Sequence, residues 1–166
     1  GRYRQFHQIN IESIGEKSPY VDFELILVAK LLFDQLGVND SKYKLLLNSL
    51  GSKEDQVNYA NILKKYLSSY KNHLSEISQS RLDKNPLRIL DSKDLEDIEI
   101  LKNAPKINEY LSNESEKYYD QVKNLLTDNK IKFFEDPKLV RGLDYYSHTA
   151  FEFQTIEDKR QNAILA

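Results

Sequence analysis

The 166-residue sequence has no cysteine and no methionine. Without cysteine there is neither a disulfide nor a thiolate metal site. The missing methionine includes the first position, which is Gly1, and the sequence ends on an apolar run, Ala163-Ile164-Leu165-Ala166. Both features read as a piece of a larger chain. No apolar run reaches the length of a membrane span, and no charged-then-apolar leader opens the sequence, so a soluble cytoplasmic origin is expected, with no membrane partner. The formal net charge of −2 gives no global attraction to nucleic acid, and any RNA contact has to come from a local patch. His7, His73 and His148 are scattered without metal-ligand spacing; each reads as structural or exposed, and no metal site is expected. What is present is a 40% hydrophobic fraction and a 30% charged one. That balance describes a modest core inside a large solvated surface, or a segment of something bigger.

The densest chemistry lies between Lys138 and Phe153. Tyr, Phe, Thr and Val favour a pleated strand there, and Gly142 inside it suggests a bulge or a close backbone approach. Strand alternation puts Arg141, Leu143 and Tyr145 on one face and Asp144 and Tyr146 on the other. As a core residue, Arg141 would need a carboxylate such as Asp144 or Glu152; otherwise it is a functional cation. The residue types leave these two readings even.

Gly1 to Gly15 also alternates. One strand face would carry Arg2, Arg4, Phe6, Gln8, Asn10 and Glu12: cations, then an aromatic ring, then amides, then a carboxylate. That order suits a nucleotide joined to an amino acid, with arginines for phosphate, a ring for a base and a carboxylate for an ammonium group. A surface strand with one wet face alternates in the same way.

Ser18-Pro19 opens a helix that runs to Leu36, with Gly37 as its stop. Lys42 to Leu50 is a strand in which the unbroken Leu45-Leu46-Leu47 predicts burial on both faces. Ser52 with Asp55 or Gln56 starts the next helix. From there to about Asp128 the chain is helical and highly charged, punctuated by Asn85-Pro86 and Ala104-Pro105. Tyr59, Leu63 and Tyr66 or Leu67 form one helical stripe, and Tyr118-Tyr119 with Val122, Leu125 and Leu126 another, so these tyrosines read as packing residues. Ile131 to Phe134 is a short strand.

Arg141-Gly142-Leu143-Asp144-Tyr145-Tyr146 resembles the histidine-binding signature of the histidyl-tRNA synthetases, a class II aminoacyl-tRNA synthetase family. Gly1 to Gly15 is similar to the second half of that family's motif 2, and Asn48 to Ser52 and Asn85 to Lys93 resemble its bacterial-type members. The resemblance runs through the chain in order. It implies an α+β fold in which part of a class II antiparallel catalytic sheet, residues 1–50 and 129–166, is interrupted by a helical insertion, residues 51–128, that approaches the tRNA acceptor stem. Lys64, Lys65, Lys71, Arg81, Lys84 and Arg88 are candidate phosphate contacts there by residue type alone. The implied activity is ATP-dependent formation of histidyl-adenylate followed by transfer to tRNA(His), in a cytoplasmic translation enzyme expected to be a homodimer. By the same resemblance Arg141 is catalytic, and Gln8, Glu12, Arg141, Tyr145 and Tyr146 bind histidine. Phe6, Arg2 and Arg4 face ATP, whose phosphates bring Mg2+. Motif 1, motif 3, the anticodon-binding domain and the first motif-2 arginine are missing from these residues, so the segment alone is expected to be inactive. The alternative is a synthetase-like regulatory protein that binds histidine without charging tRNA.

Overall fold

The computed structural model describes residues 5, 7–140, 146–157 and 163–166. Its first regular element is helix α1, Pro19–Gln35. The Ser18 hydroxyl accepts the Tyr20 N–H at 3.3 Å, and proline opens the first turn, where its missing N–H costs nothing. Gly37, at φ 70°, takes the left-handed conformation that ends the helix. Strand β1, Tyr43–Ser49, follows and is buried at every position except Lys44. The expected two-sided burial of the leucine triplet is therefore observed.

The helical stretch comprises α2 (Lys53–Ser68), α3 (Glu76–Leu82), α4 (Leu95–Leu101) and α5 (Asn113–Asp128). Ser52 and Asp55 form a reciprocal capping box at the start of α2, as the sequence suggested. Strands β2 (Phe134–Glu135), β3 (Thr149–Thr155) and β4 (Ala163–Leu165) complete a four-stranded sheet of order β2-β1-β3-β4. Here β3 pairs antiparallel with both β1 and β4, while β2 joins β1 in parallel, so the sheet is mixed rather than purely antiparallel. The long helical excursion between β1 and β2 returns the chain to the same end of the sheet, which a tight hairpin cannot do.

Alternation along β1 divides the core. Leu45 and Leu47 face α1 and α5 together with Ile26, Phe33, Tyr119, Val122, Leu126 and Phe153. Leu46 faces the other way, against Leu50, Leu139 and Ala150. A separate cluster lies inside the helical segment, where Tyr59, Leu63 and Leu67 of α2 meet Leu74, Leu82, Ile89, Leu101 and Ile107. Helix α5 thus packs with the sheet, although by composition it belongs to the helical stretch. No described helix is long and apolar enough to cross a membrane.

Three local expectations change. Residues 7–14 form no strand and are exposed, because none of the four strands offers them a ladder partner. The short strand expected at Ile131 begins only at Phe134: Lys130 adopts φ 59° and the Ile131 N–H donates back to Leu126 O at 2.9 Å, so these residues close the end of α5. Residues 138–140 are likewise not strand, since a turn carries the Leu139 N–H to Asp136 O at 2.9 Å.

Candidate functional site

Of the expected site residues, Arg2, Arg4, Phe6, Arg141 and Tyr145 lie outside the described residues. Gln8, Glu12 and Tyr146 are described. Glu12 and Tyr146 line one cavity of about 640 Å³, a size suited to a small-molecule ligand. Leu25, Ala29 and Leu32 of α1, Phe151 of β3 and Leu165 of β4 give it apolar walls, and residues 9–14 form its rim. Gln8 is exposed and does not line it; its side-chain amide donates to the Asn10 side chain instead. The structure therefore brings together two of the three, a carboxylate from one end of the sequence and a phenol from the other. A second cavity, of about 360 Å³ and lined in part by Tyr43, Phe134 and Phe153, contains none of the expected residues.

Tyr146 is 36% exposed, and its carbonyl oxygen accepts the side-chain amide of Gln56 at 2.9 Å. Two residues later His148 sits at φ 57°, a left-handed conformation uncommon away from glycine. Its N–H donates to Gly51 O at 2.7 Å and its carbonyl accepts the Leu50 N–H at 2.6 Å, and these bonds hold the turn that starts β3. The His148 ring, 4% exposed, stacks on Tyr118 of α5 with centroids 4.4 Å apart and planes 24° apart. Burial, with the charge of Lys17 added, pushes the imidazole below its ordinary pKa and favours the neutral ring. Next to it, burial pushes the Asp22 carboxyl above the usual carboxylate range, in contact with Thr149 and Tyr118. His148, Tyr118 and Asp22 thus form a polar cluster where α1, α5 and the start of β3 meet.

Comparison with known proteins now bears on this geometry. No protein-family model matches the chain. It is 52% identical over 154 residues to the histidine–tRNA ligase of Acaryochloris marina, covering 93% of this chain and 35% of that protein. It is 51% identical over 166 residues, its whole length, to the histidine–tRNA ligase of Wolbachia pipientis subsp. Culex pipiens, 40% of that protein. Among solved structures it resembles apo S. aureus histidyl-tRNA synthetase with a TM-score of 0.66 and 37% identity, over 84% of this chain and 32% of that one. The chain belongs to the histidyl-tRNA synthetase family.

It spans between 35% and 40% of the length of these curated relatives. Within this synthetase-family stretch, sequence reasoning passed over three residues that shape the site's surroundings. Asn48, fully buried, donates from Nδ2 to Leu139 O at 2.9 Å, two residues before the signature. Its signal was a polar residue in a strand read as buried on both faces, which requires a partner. In the sequence Gln56 reads only as part of a helix start and Asp22 only as part of a helix; nothing in their spacing points to Tyr146 or Thr149. His148 is buried, in line with its structural reading, while His7 and His73 are exposed. Among the candidate cations, Lys64 pairs with Asp83 at 2.8 Å and Arg81 donates to Arg88 O at 3.2 Å.

Proposed function

We propose that this chain is the histidine-activating part of a histidine–tRNA ligase. The observation that carries the reading is the shared cavity of Glu12 and Tyr146, found in a chain similar throughout to proteins of that name. In the reaction, a carboxylate oxygen of histidine attacks the α-phosphorus of ATP and pyrophosphate leaves. A ribose hydroxyl at the end of tRNA(His) then attacks the adenylate carbonyl, and AMP leaves. Such chemistry needs positioning and charge stabilisation more than covalent catalysis by the protein.

In this proposal Glu12 holds the substrate ammonium group, and Gln8 approaches it from the same segment. The hydroxyls of Tyr145 and Tyr146 pair with imidazole nitrogens. Arg141 stabilises charge on the α-phosphate as a permanent, planar cation able to serve two oxygens at once. Phe6 stacks on adenine, and Arg2 and Arg4 face the phosphates. Mg2+ would arrive on the ATP phosphates and neutralise part of their charge. Residues 51–128 act as the tRNA-facing insertion, with α5 serving both that segment and the sheet core. The whole protein is a cytoplasmic homodimer in this reading.

The test grafts residues 1–166 over the matching stretch of the Wolbachia ligase and measures histidine-dependent ATP–pyrophosphate exchange. Glu12→Gln is expected to raise the KM for histidine about ten- to a hundredfold, the cost of one charge-assisted bond in a partly desolvated site. The KM for ATP should stay near that of the unmutated graft. Equal increases for both substrates would reverse the assigned order of the segment.

A further inference from the structure

Gln56 lies in the first turn of α2, half-buried, and reaches across 90 positions of sequence to the carbonyl of Tyr146. That carbonyl belongs to a residue 36% exposed, and the glutamine amide ties it to the start of α2. Two residues on, the backbone of His148 is bonded on both sides to Leu50 and Gly51, the loop that enters α2. Its ring rests on Tyr118 in α5, the helix by which the chain leaves the helical segment. The entry and the exit of that segment therefore both converge on the short stretch from Tyr146 to His148. On its other side, the same stretch presents Tyr146 to the cavity that Glu12 lines.

We propose that Gln56 and His148 are positioning residues that register Tyr146 in the cavity against both ends of the helical segment, so that histidine binding depends on how that segment sits. The inference rests on the reading of Tyr146 as a histidine-pocket residue. Neither residue touches substrate; each acts through the backbone that carries the phenol. A wall of the amino-acid pocket is thereby tied to the part of the chain farthest in character from the sheet.

The graft into the Wolbachia ligase provides the test. Gln56→Met keeps the side-chain length and removes the donor. It is expected to raise the KM for histidine roughly two- to tenfold, the range for one hydrogen bond, while the KM for ATP, kcat and the thermal midpoint stay within error of the unmutated graft. Gln56→Lys, which restores a donor, should recover most of the histidine KM. His148→Asn tolerates a left-handed backbone but loses the ring stack, and should give the same selective rise. If that variant does not fold, the Gln56 pair decides. A merely structural role predicts the opposite pattern, a lower thermal midpoint with substrate KM values unchanged, and that result for Gln56→Met would overturn the proposal. So would equal increases for histidine and ATP. An unmutated graft with no exchange activity would instead overturn the functional reading beneath it.

Discussion

The sheet unit and the helical segment are held together by different physics. Around β1 and β3 the core is aromatic and buried: Phe33, Tyr43 and Phe153 meet with ring centroids 4.9 to 5.4 Å apart, and α1 and α5 close over them. The helical segment combines two long helices, α2 and α5, with the short α3 and α4 and irregular turns, and its helix starts are tied by buried carboxylates. Asp97, fully buried, accepts the Ser75 N–H and the hydroxyls of Ser75, Ser78 and Ser92 at 2.6 to 2.9 Å. Asp55 does the same for the starts of α2 and α5, accepting the Ser52 N–H at 2.8 Å, the Ser112 N–H at 2.8 Å and the Ser115 hydroxyl at 2.5 Å. Every helix start leaves several N–H groups unpaired, and here one ionised aspartate collects them from two segments at once. Apolar packing should therefore dominate the first unit and charge-assisted hydrogen bonding the second.

The largest expected effect tests the sheet side. Phe153 is fully buried at the meeting point of the aromatic cluster. Phe153→Ala should cost about 3–5 kcal/mol through lost burial and the cavity left behind. Hydrogen-exchange protection of Leu45 and Leu47 should fall with it, while that of Leu63 and Leu67 in α2 should change less. Equal loss in both places would show one cooperative core instead of two.

This division was only half legible in the sequence. The leucine triplet, Ser18-Pro19 and Gly37, and the Ser52–Asp55 pair each announce their structure locally, because burial period and capping chemistry are written in neighbouring residues. Helix α5 misleads: its charged composition matches the helical stretch, yet Tyr119, Val122 and Leu126 pack on the sheet. A helical stripe shows that a face is buried but not against what. The serines around Asp97 are equally mute, since Ser75 and Asp97 are 22 positions apart and only the fold brings them together. At the site, the resemblance of two motifs named Glu12 and Tyr146 as candidates, while the ties through Gln56, Asn48 and His148 are tertiary. The strand expected near the start failed for the same reason, because alternation cannot supply a pairing partner.

A smaller effect tests the helical side. Asp97→Asn keeps the shape but removes the charge that the serine hydroxyls and one N–H address. The expected cost is about 2–3 kcal/mol, that of weakened hydrogen bonds to a buried charged acceptor. Here the protection pattern should invert, with Leu63 and Leu67 losing more than Leu45 and Leu47. An unchanged α2 would mean that the apolar cluster of Tyr59, Leu63 and Leu67 suffices without the carboxylate.

Acid should separate the two units by the smallest margin and with opposite signs. Burial alone would raise the Asp55 pKa, but the Ser115 hydroxyl and the Ser52 and Ser112 N–H groups overcome it and hold it at about 2, against an ordinary 3.8. A depressed carboxylate contributes stability that is fully present above its unfolded value and lost as pH falls through its folded one, here between about pH 4 and pH 2. The shift corresponds to about 2 kcal/mol, and Asp97, depressed by the same kind of bonding, adds in the same direction. In the sheet unit Asp22 is displaced the other way by burial, so its charged form is a cost at neutral pH that protonation relieves. Asp40 beside Tyr43 is depressed too, but its side chain is 68% exposed and solvent screening leaves it little weight. On titration from pH 7 toward pH 2, amides of Leu63 and Leu67 should lose protection before those of Leu45 and Leu47. In an Asp22→Asn variant the sheet amides should no longer show the compensating gain, which narrows the gap between the two units from the sheet side. If the sheet amides open first in the unmutated chain, the buried carboxylates are not what holds the helical segment, and the distinction between the two cores fails.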